Sequence, residues 1–241
     1  LQDAGLSTLA AYQGVLATYA VLGGVLVLLF LRLSARVELQ QLPDSPQRRL
    51  GLHRSRGVVA RLSALFAVDA FAGGFVIQSL LAYWFYLRFG ISEAVLGSVF
   101  FVANLLAGAS ALLASRLAAR FGLINTMVFT HLPSNILLCL VPFMPSLPSA
   151  LALLLVRFTI SQMDVPTRQS YTMAVVDPDE RSAASGVTTI ARSLGAALSP
   201  ALSGGLLALS MHAPFLLAGG LKIIYDLALY RSFKALKPEE E

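Results

Sequence analysis

Charged residues are scarce in this sequence of 241 positions: Asp, Glu, Lys and Arg make up 13%, whereas 56% of the residues are hydrophobic. The mean hydropathy is +0.73, and a soluble domain typically carries about 25% charged residues. The composition therefore excludes a soluble domain and indicates an integral membrane protein. The cations lie next to apolar runs rather than along one polar face, which argues against a nucleic-acid partner.

Cysteine and histidine are also rare. The single Cys139 excludes an intramolecular disulfide, and the three histidines are too scattered to form a metal site with it. The sequence contains neither a nucleotide-binding loop of the type G-x-x-x-x-G-K-S nor a nucleophile, base and orienting residue outside its apolar runs. We therefore predict no cofactor, no bound metal and no enzymatic activity.

Long apolar runs dominate what the sequence does contain. A membrane-spanning helix needs about 20 apolar residues. Seven runs are long enough, near 8–31, 62–87, 93–115, 123–145, 149–175, 185–209 and 212–232. The predicted fold class is therefore an all-α integral membrane protein with seven transmembrane helices.

Basic residues predict the orientation of these spans. The only long connection, 32–61, holds seven arginines, and the positive-inside rule places it in the cytoplasm. Counting spans from there predicts an N-terminus outside and a cytoplasmic tail at 235–241. The predicted location is the plasma or inner membrane, with multiple passes.

Seven Asp, Lys and Arg residues lie well inside the predicted spans, away from their ends. Each costs about 2.5–3.5 kcal/mol at a helix centre on insertion scales, so such residues normally pair or border an aqueous cavity. They are Asp69, Arg157, Asp164, Arg168, Arg192, Lys222 and Asp226. The i, i+4 spacing predicts two ion pairs, Asp164 with Arg168 and Lys222 with Asp226.

Arg157 and Arg192 have no acid one turn away on their own helix. Their partner is therefore Asp69, a carbonyl group or an anionic solute. Asp69 is a candidate for reversible protonation, because burial disfavours a lone ionised carboxylate. A fixed ion pair with one of the two arginines is the alternative, and the sequence leaves both open.

Two neighbouring segments concentrate these charges on polar stripes. On a helical wheel, one stripe consists of Arg157, Ser161, Asp164, Arg168 and Tyr171. The other consists of Ser185, Thr188, Arg192, Ser199 and Ser203. Pro166 frees the carbonyl of Gln162 and predicts a kink there. Close helix contacts are predicted at Gly186, Gly195, Gly204 and Gly205.

Two motifs resemble those of the major facilitator superfamily. Its loop motif G-x-x-x-D-R-x-G-R-R resembles Arg116, Arg120, Phe121 and Gly122, with Ser115 and Ala119 for its glycine and aspartate and Leu123-Ile124 for its basic pair. Its motif G-x8-G-x3-G-P-x2-G-G resembles Gly186, Gly195, Ser199-Pro200 and Ser203-Gly204, with serines for two glycines. Antiporters of the superfamily carry the second motif in the fifth helix. This copy would lie in the eleventh, so antiport is not implied.

The resemblance implies an organisation for the whole chain. Residues 1–31 would be the last helix of the N-terminal half, and 32–61 the central cytoplasmic loop. Residues 62–234 would be the six-helix C-terminal bundle and 235–241 the tail. The missing N-terminal half is then expected upstream of Leu1, or a second copy of the chain supplies it.

The resemblance also implies a function, namely secondary active or facilitative transport of a small solute through the lipid membrane by alternating access. Proton coupling through Asp69 is a further hypothesis. The implied pathway residues are Asp69, Asn104, Arg157, Ser161, Gln162, Asp164, Arg168 and Arg192. Lys222 and Asp226 would lie outside the pathway as a structural pair.

Two other functions stay open at this point. Seven spans with the N-terminus outside are also the topology of seven-helix receptors and photoreceptors. In that case Lys222 would hold a retinal Schiff base, with Asp69 as its counter-ion. Alternatively, the chain is a non-transporting membrane fragment or scaffold, because alternating access needs two bundles.

Overall fold

The computed structural model describes residues 7–32 and 51–234, which form helices and no strands. Most of the predicted central loop and the predicted tail lie outside these residues. The chain divides into two units, residues 1–47 and 48–241. The described part of the first unit is helix α1, Thr8–Leu31, which coincides with the first predicted span. It begins after Ser7, whose hydroxyl accepts the backbone N–H of Ala10 at 3.3 Å.

The described part of the second unit is a bundle of α-helices joined by short connections. Its helices are α2 Arg56–Gly74, α3 Gln78–Phe89, α4 Glu93–Phe121, α5 Leu123–Leu140, α6 Leu147–Phe158, α7 Asp164–Ala174, α8 Arg181–Leu209 and α9 Ala213–Phe233. Two single 3-10 turns complete it, Val141–Phe143 after α5 and Pro178–Glu180 before α8.

Five helical stretches among the described residues are long and apolar enough to cross a membrane. They are Tyr12–Leu31, Arg56–Phe89, Ala94–Phe121, Leu123–Phe143 and Ala213–Phe233. The predicted total of seven spans is not confirmed. Helix α6 has 12 residues, and α8, with 29 residues, interrupts its apolar sequence with Arg181, Arg192 and many hydroxyl side chains.

The fifth predicted span, 149–175, is not one continuous helix. It divides into α6 and α7, with turns at residues 159–163 between them. Pro166 is the third residue of α7 and cannot donate a backbone hydrogen bond. The carbonyl oxygen of Gln162 accepts instead from the N–H of Val165 at 3.4 Å. The predicted kink therefore takes the form of a break one turn before the proline, and the stripe from Arg157 to Tyr171 is interrupted there.

Close packing between α2 and α8 depends on two glycines. A Cβ on Gly195 would overlap the carbonyl oxygen of Ala67, and a Cβ on Gly74 would overlap the hydroxyl of Ser199. The close contact predicted at Gly195 is therefore confirmed. At Gly186, Gly204 and Gly205 a Cβ would meet no atom of the described residues within 4 Å, so the contacts predicted there are not found within this part of the chain.

An aromatic cluster fills the interior between α2, α7 and α9. The rings of Phe66 and Tyr225 meet edge to face with centroids 6.4 Å apart, and Tyr171 packs likewise on Phe233 at 6.0 Å. These four side chains are buried together with Leu62, Met127 and Leu229. Asp69 and Lys222, on α2 and α9, are buried as well.

Helices α4 and α8 each expose a row of large apolar side chains. On α8 the row consists of Ile190, Leu194 and Leu198, each more than 60% exposed. On α4, Phe101 and Leu112 are similarly exposed. A face of this kind suits hydrocarbon or another helix rather than water.

Glu180, at the turn before α8, holds the chain that leads into α2. Its buried carboxylate accepts the backbone N–H groups of His53 at 2.6 Å, Arg54 at 2.7 Å and Ser55 at 2.9 Å. Burial by itself raises the pKa of the Glu180 carboxyl, but these backbone donors outweigh burial and lower the pKa to about 2. The ionised carboxylate therefore links the start of α2 to the start of α8.

Replacement of Glu180 by Gln should lower the free energy of unfolding by about 1–3 kcal/mol, because the amide turns a donor toward buried N–H groups. Thermal unfolding of the purified protein in detergent measures this change, and Asp179→Asn at the exposed neighbouring carboxylate is the control. The difference between wild type and Glu180→Gln should be full above pH 4.5 and shrink toward pH 2, since the carboxyl pKa is lowered from 4.5 to about 2. Equal unfolding temperatures for the two variants at pH 7 would contradict this role.

Candidate functional site

Asp69 is the centre of a buried group of charges. Helix α2 places its side chain inside the bundle, where it is 3% exposed. Its Oδ1 accepts from Nζ of Lys222 at 2.5 Å, and its Oδ2 accepts from Arg192 at 3.0 Å and Arg168 at 3.3 Å. Cations from α9, α8 and α7 therefore converge on one carboxylate of α2.

Arg168 connects Asp69 to a second carboxylate. One guanidinium nitrogen lies 2.8 Å from Oδ2 of Asp164, one turn earlier on α7, as the i, i+4 spacing predicts. The guanidinium also lies over the ring of Phe66, 5.5 Å from its centroid. Arg168 is thus held between two acids and an aromatic face, which fixes its orientation.

His131 connects Asp69 to a third carboxylate. Its Nδ1 is 2.8 Å from Oδ1 of Asp226, and its Nε2 is 3.9 Å from Oδ1 of Asp69. Asn135, one turn along α5, donates to Oδ2 of Asp226 at 2.9 Å. Each ring nitrogen of His131 therefore faces an acid on a different helix.

We call these linked residues the charge cluster. Its members are Asp69, His131, Asn135, Asp164, Arg168, Arg192, Lys222 and Asp226. The three carboxylates and three cations among them balance when His131 is neutral. Such balance is what allows ionised groups to lie in a low-dielectric interior, since an unpaired charge there costs far more than a paired one.

A cavity of about 960 Å³ lies between α7 and α8, beside the charge cluster. Three arginines and many hydroxyl side chains line it, and no carboxylate is among its lining residues in the described part of the chain. Its principal polar side chains are Arg168, Arg181, Arg192, Thr172, Thr188 and Ser193. We call it the arginine cavity.

The charge cluster and the arginine cavity meet at Arg168 and Arg192. The Arg192 side chain is 33% exposed, whereas the Arg168 side chain is only 7% exposed. Lys222, at 10%, does not line the cavity. Arg192 is therefore the member of the cluster most open to whatever enters the cavity.

The predicted pairing of Lys222 with Asp226 is wrong. Lys222 bonds to Asp69 on α2, and Asp226 bonds to His131 and Asn135 on α5. Both residues lie on the inner face of α9, where neighbouring helices present closer partners than the next turn of the same helix. Lys222 consequently belongs to the charge cluster that includes the predicted pathway residue Asp69.

Only Arg168 and Arg192 of the eight predicted pathway residues line the arginine cavity, and four of the others lie away from the charge cluster as well. Asn104 is exposed on α4. Arg157 is half-buried at the end of α6, with its guanidinium over the ring of Phe158. Ser161 and Gln162 lie in the break between α6 and α7. Asp69, Asp164, Arg168 and Arg192, in contrast, are brought together.

Two residues of this region, His131 and Arg181, are not among the predicted pathway residues. A histidine four residues before Asn135 in an apolar span is nevertheless a signal of buried polar contacts. Arg181 lies at the start of α8 and lines the arginine cavity. Within residues 7–32 and 51–234, no three His, Cys, Asp or Glu side chains form a group that could hold a metal ion.

Comparison with known proteins agrees with the helical architecture. The family model of the Major Facilitator Superfamily matches residues 4–200 and 64–241. The chain is 27% identical over 175 residues to Uncharacterized membrane protein YJR124C of Saccharomyces cerevisiae. That alignment covers 71% of this chain and 39% of the yeast protein, so the chain spans about two fifths of its relative.

Proposed function

Because the chain belongs to the major facilitator superfamily, we propose that it is part of a transporter that carries a small solute by alternating access. The superfamily assignment supports a multi-pass membrane protein and replaces the receptor hypothesis. The proposed transport is secondary active or facilitative, and the second bundle that alternating access needs comes from a longer chain or a second copy.

The observation that carries the proposal is the arginine cavity beside the charge cluster. Charges in a membrane interior are expensive and normally border a water-filled pathway when they are retained. Arg168 and Arg192 line the cavity. Asp69 accepts hydrogen bonds from both arginines, and Asp164 accepts one from Arg168. We assign the arginines to solute contact and the two acids to their positioning.

The proposed orientation follows the arginine-rich connection and places the turn Pro178–Glu180 in the cytoplasm. The arginine cavity would then open toward the cytoplasm, because Arg181 and Ser185 at the start of α8 line it. Asp69 is also the proposed site of proton coupling. Among the described residues it is the one carboxylate that contacts cations from three helices, so its protonation would release several of them together.

Cysteine labelling tests whether the cavity is a wet pathway. In a Cys139→Ser background of the full-length protein, a water-soluble maleimide should label Ser193→Cys, which lines the cavity. It should label Ser203→Cys, which is fully buried on the same helix, more slowly by about tenfold, because thiol reactivity follows exposure.

The Ser203 variant is a matched control, since both changes replace a serine of α8 with cysteine. Labelling is measured in nanodiscs, so that lipid covers the apolar faces of the bundle. If the maleimide labelled both cysteines equally slowly, the cavity would be dry, and a solute pathway at this place would be contradicted.

A further inference from the structure

The charge on the cavity wall indicates the kind of solute that it accepts. Every ionisable side chain lining the cavity in the described residues is an arginine, and six serine or threonine hydroxyls surround them. We propose that the arginine cavity binds a small organic anion, whose carboxylate or phosphate group displaces Asp69 from Arg192. This inference rests on the proposed transport function and names the substrate class of the same site.

Arg181 supplies an unused positive charge. None of the ion pairs between described residues includes it, and its buried Nε has no hydrogen-bond partner there. The guanidinium offers up to five donors in a planar fork that matches two oxygens of one anionic group. An anion in the cavity would therefore satisfy a group that the described residues leave open.

Arg192 can change partners at low cost. Its bond to Asp69 is 3.0 Å long, but Asp69 also holds Lys222 at 2.5 Å and Arg168 at 3.3 Å. When Arg192 turns to a solute anion, Asp69 keeps two cations and stays paired. The solute in turn neutralises Arg181 and Arg192, so neither side of the exchange leaves a buried charge alone.

The position of α8 adds to the positive potential. The helix begins at Arg181, so the backbone N–H groups of its first turn lie at the same end as this arginine. The cavity volume of about 960 Å³ exceeds the space that a single inorganic ion needs. It lies in the range of pockets for small organic ligands, roughly 300–1,000 Å³.

Protection from labelling tests the proposal in the full-length Ser193→Cys protein lacking Cys139. Citrate and phenyl phosphate serve as carboxylate and phosphate probes, and glucose at constant ionic strength is the neutral comparison. We expect at least one anion to slow labelling saturably, and glucose to have no effect. Arg192→Gln and Arg181→Gln should each raise the anion concentration that gives half-maximal protection by about tenfold. Arg88→Gln, at an exposed arginine outside the cavity, should not change it.

Three results would overturn the inference. Absence of protection by both anions at tens of millimolar, or equal protection by glucose, excludes an anion-selective cavity. Protection that the arginine variants leave unchanged excludes the two named contacts. Slow labelling without any soluble probe in nanodiscs containing phosphatidylglycerol, but not in phosphatidylcholine, assigns the anion site to lipid. Rapid labelling of Ser193→Cys in phosphatidylcholine nanodiscs without any probe leaves the proposed pathway itself intact, so the two failures are distinguishable.

Discussion

The Asp69→Asn variant should be the most strongly destabilised single substitution in the charge cluster. Asp69 is the only described carboxylate in contact with Lys222 and with Arg192, and it shares Arg168 with Asp164. Removing its charge leaves buried cations unpaired, and breaking a buried ion pair costs about 3–5 kcal/mol. Thermal unfolding of the purified protein in detergent should therefore begin at a clearly lower temperature than for wild type.

A second substitution separates charge balance from the loss of a side chain. Asp69→Asn combined with Lys222→Met removes the acid together with the cation nearest to it, so the double variant should recover part of the lost stability. Asp164→Asn is the matched control, because it leaves all three cations on Asp69 and should cost less. Additive losses in the double variant, or wild-type unfolding of Asp69→Asn, would refute the central position of Asp69.

The same double variant addresses proton coupling. If Asp69 carries the coupled proton, transport by the double variant should lose its dependence on a pH gradient even where folding is restored. A purely structural Asp69 would leave that dependence unchanged. The comparison therefore measures a property that stability alone does not affect.

Local sequence signals predicted the helices and the contacts within one helix. Apolar runs fixed α1, α4, α5 and α9 to within a few residues, apart from the extension of α4 to Phe121, because hydrocarbon demands such runs. The pair of Asp164 and Arg168 follows from the helical repeat alone. A kink at Pro166 follows from another local feature, the missing backbone donor, and the structure has a break one turn before the proline.

Contacts between helices were not predictable in this way. The same i, i+4 rule that found Asp164 and Arg168 gave a wrong partner for Lys222, because α2 presents Asp69 closer than α9 presents Asp226. Only the receptor hypothesis placed Lys222 beside Asp69, and it did so for the wrong function. Which faces meet depends on the packing of α2, α5, α8 and α9, and no spacing within one segment contains that information.

Small residues on α8 determine part of that packing, and Gly195→Ala should reveal it by destabilising the protein. The added Cβ would overlap the carbonyl oxygen of Ala67, a backbone atom that cannot move alone, so α2 and α8 would have to separate. Overpacking of this kind costs about 1–3 kcal/mol or more. Arg192 lies one turn before Gly195, and Asp69 lies two residues after Ala67, so the same separation should stretch the bond between them.

Gly204→Ala is the control, because it should not lower the unfolding temperature. It lies on the same helix, its Cβ would meet no atom of the described residues within 4 Å, and alanine favours a helix over glycine by about 1 kcal/mol. Unfolding temperatures in detergent should therefore rise or stay constant for Gly204→Ala and fall for Gly195→Ala. Because both variants carry the same change in helix propensity, their difference isolates the contact with Ala67. A Gly195→Ala protein as stable as Gly204→Ala would mean that the two helices do not approach closely at this point, and Arg192 would then not be held against Asp69 by their packing.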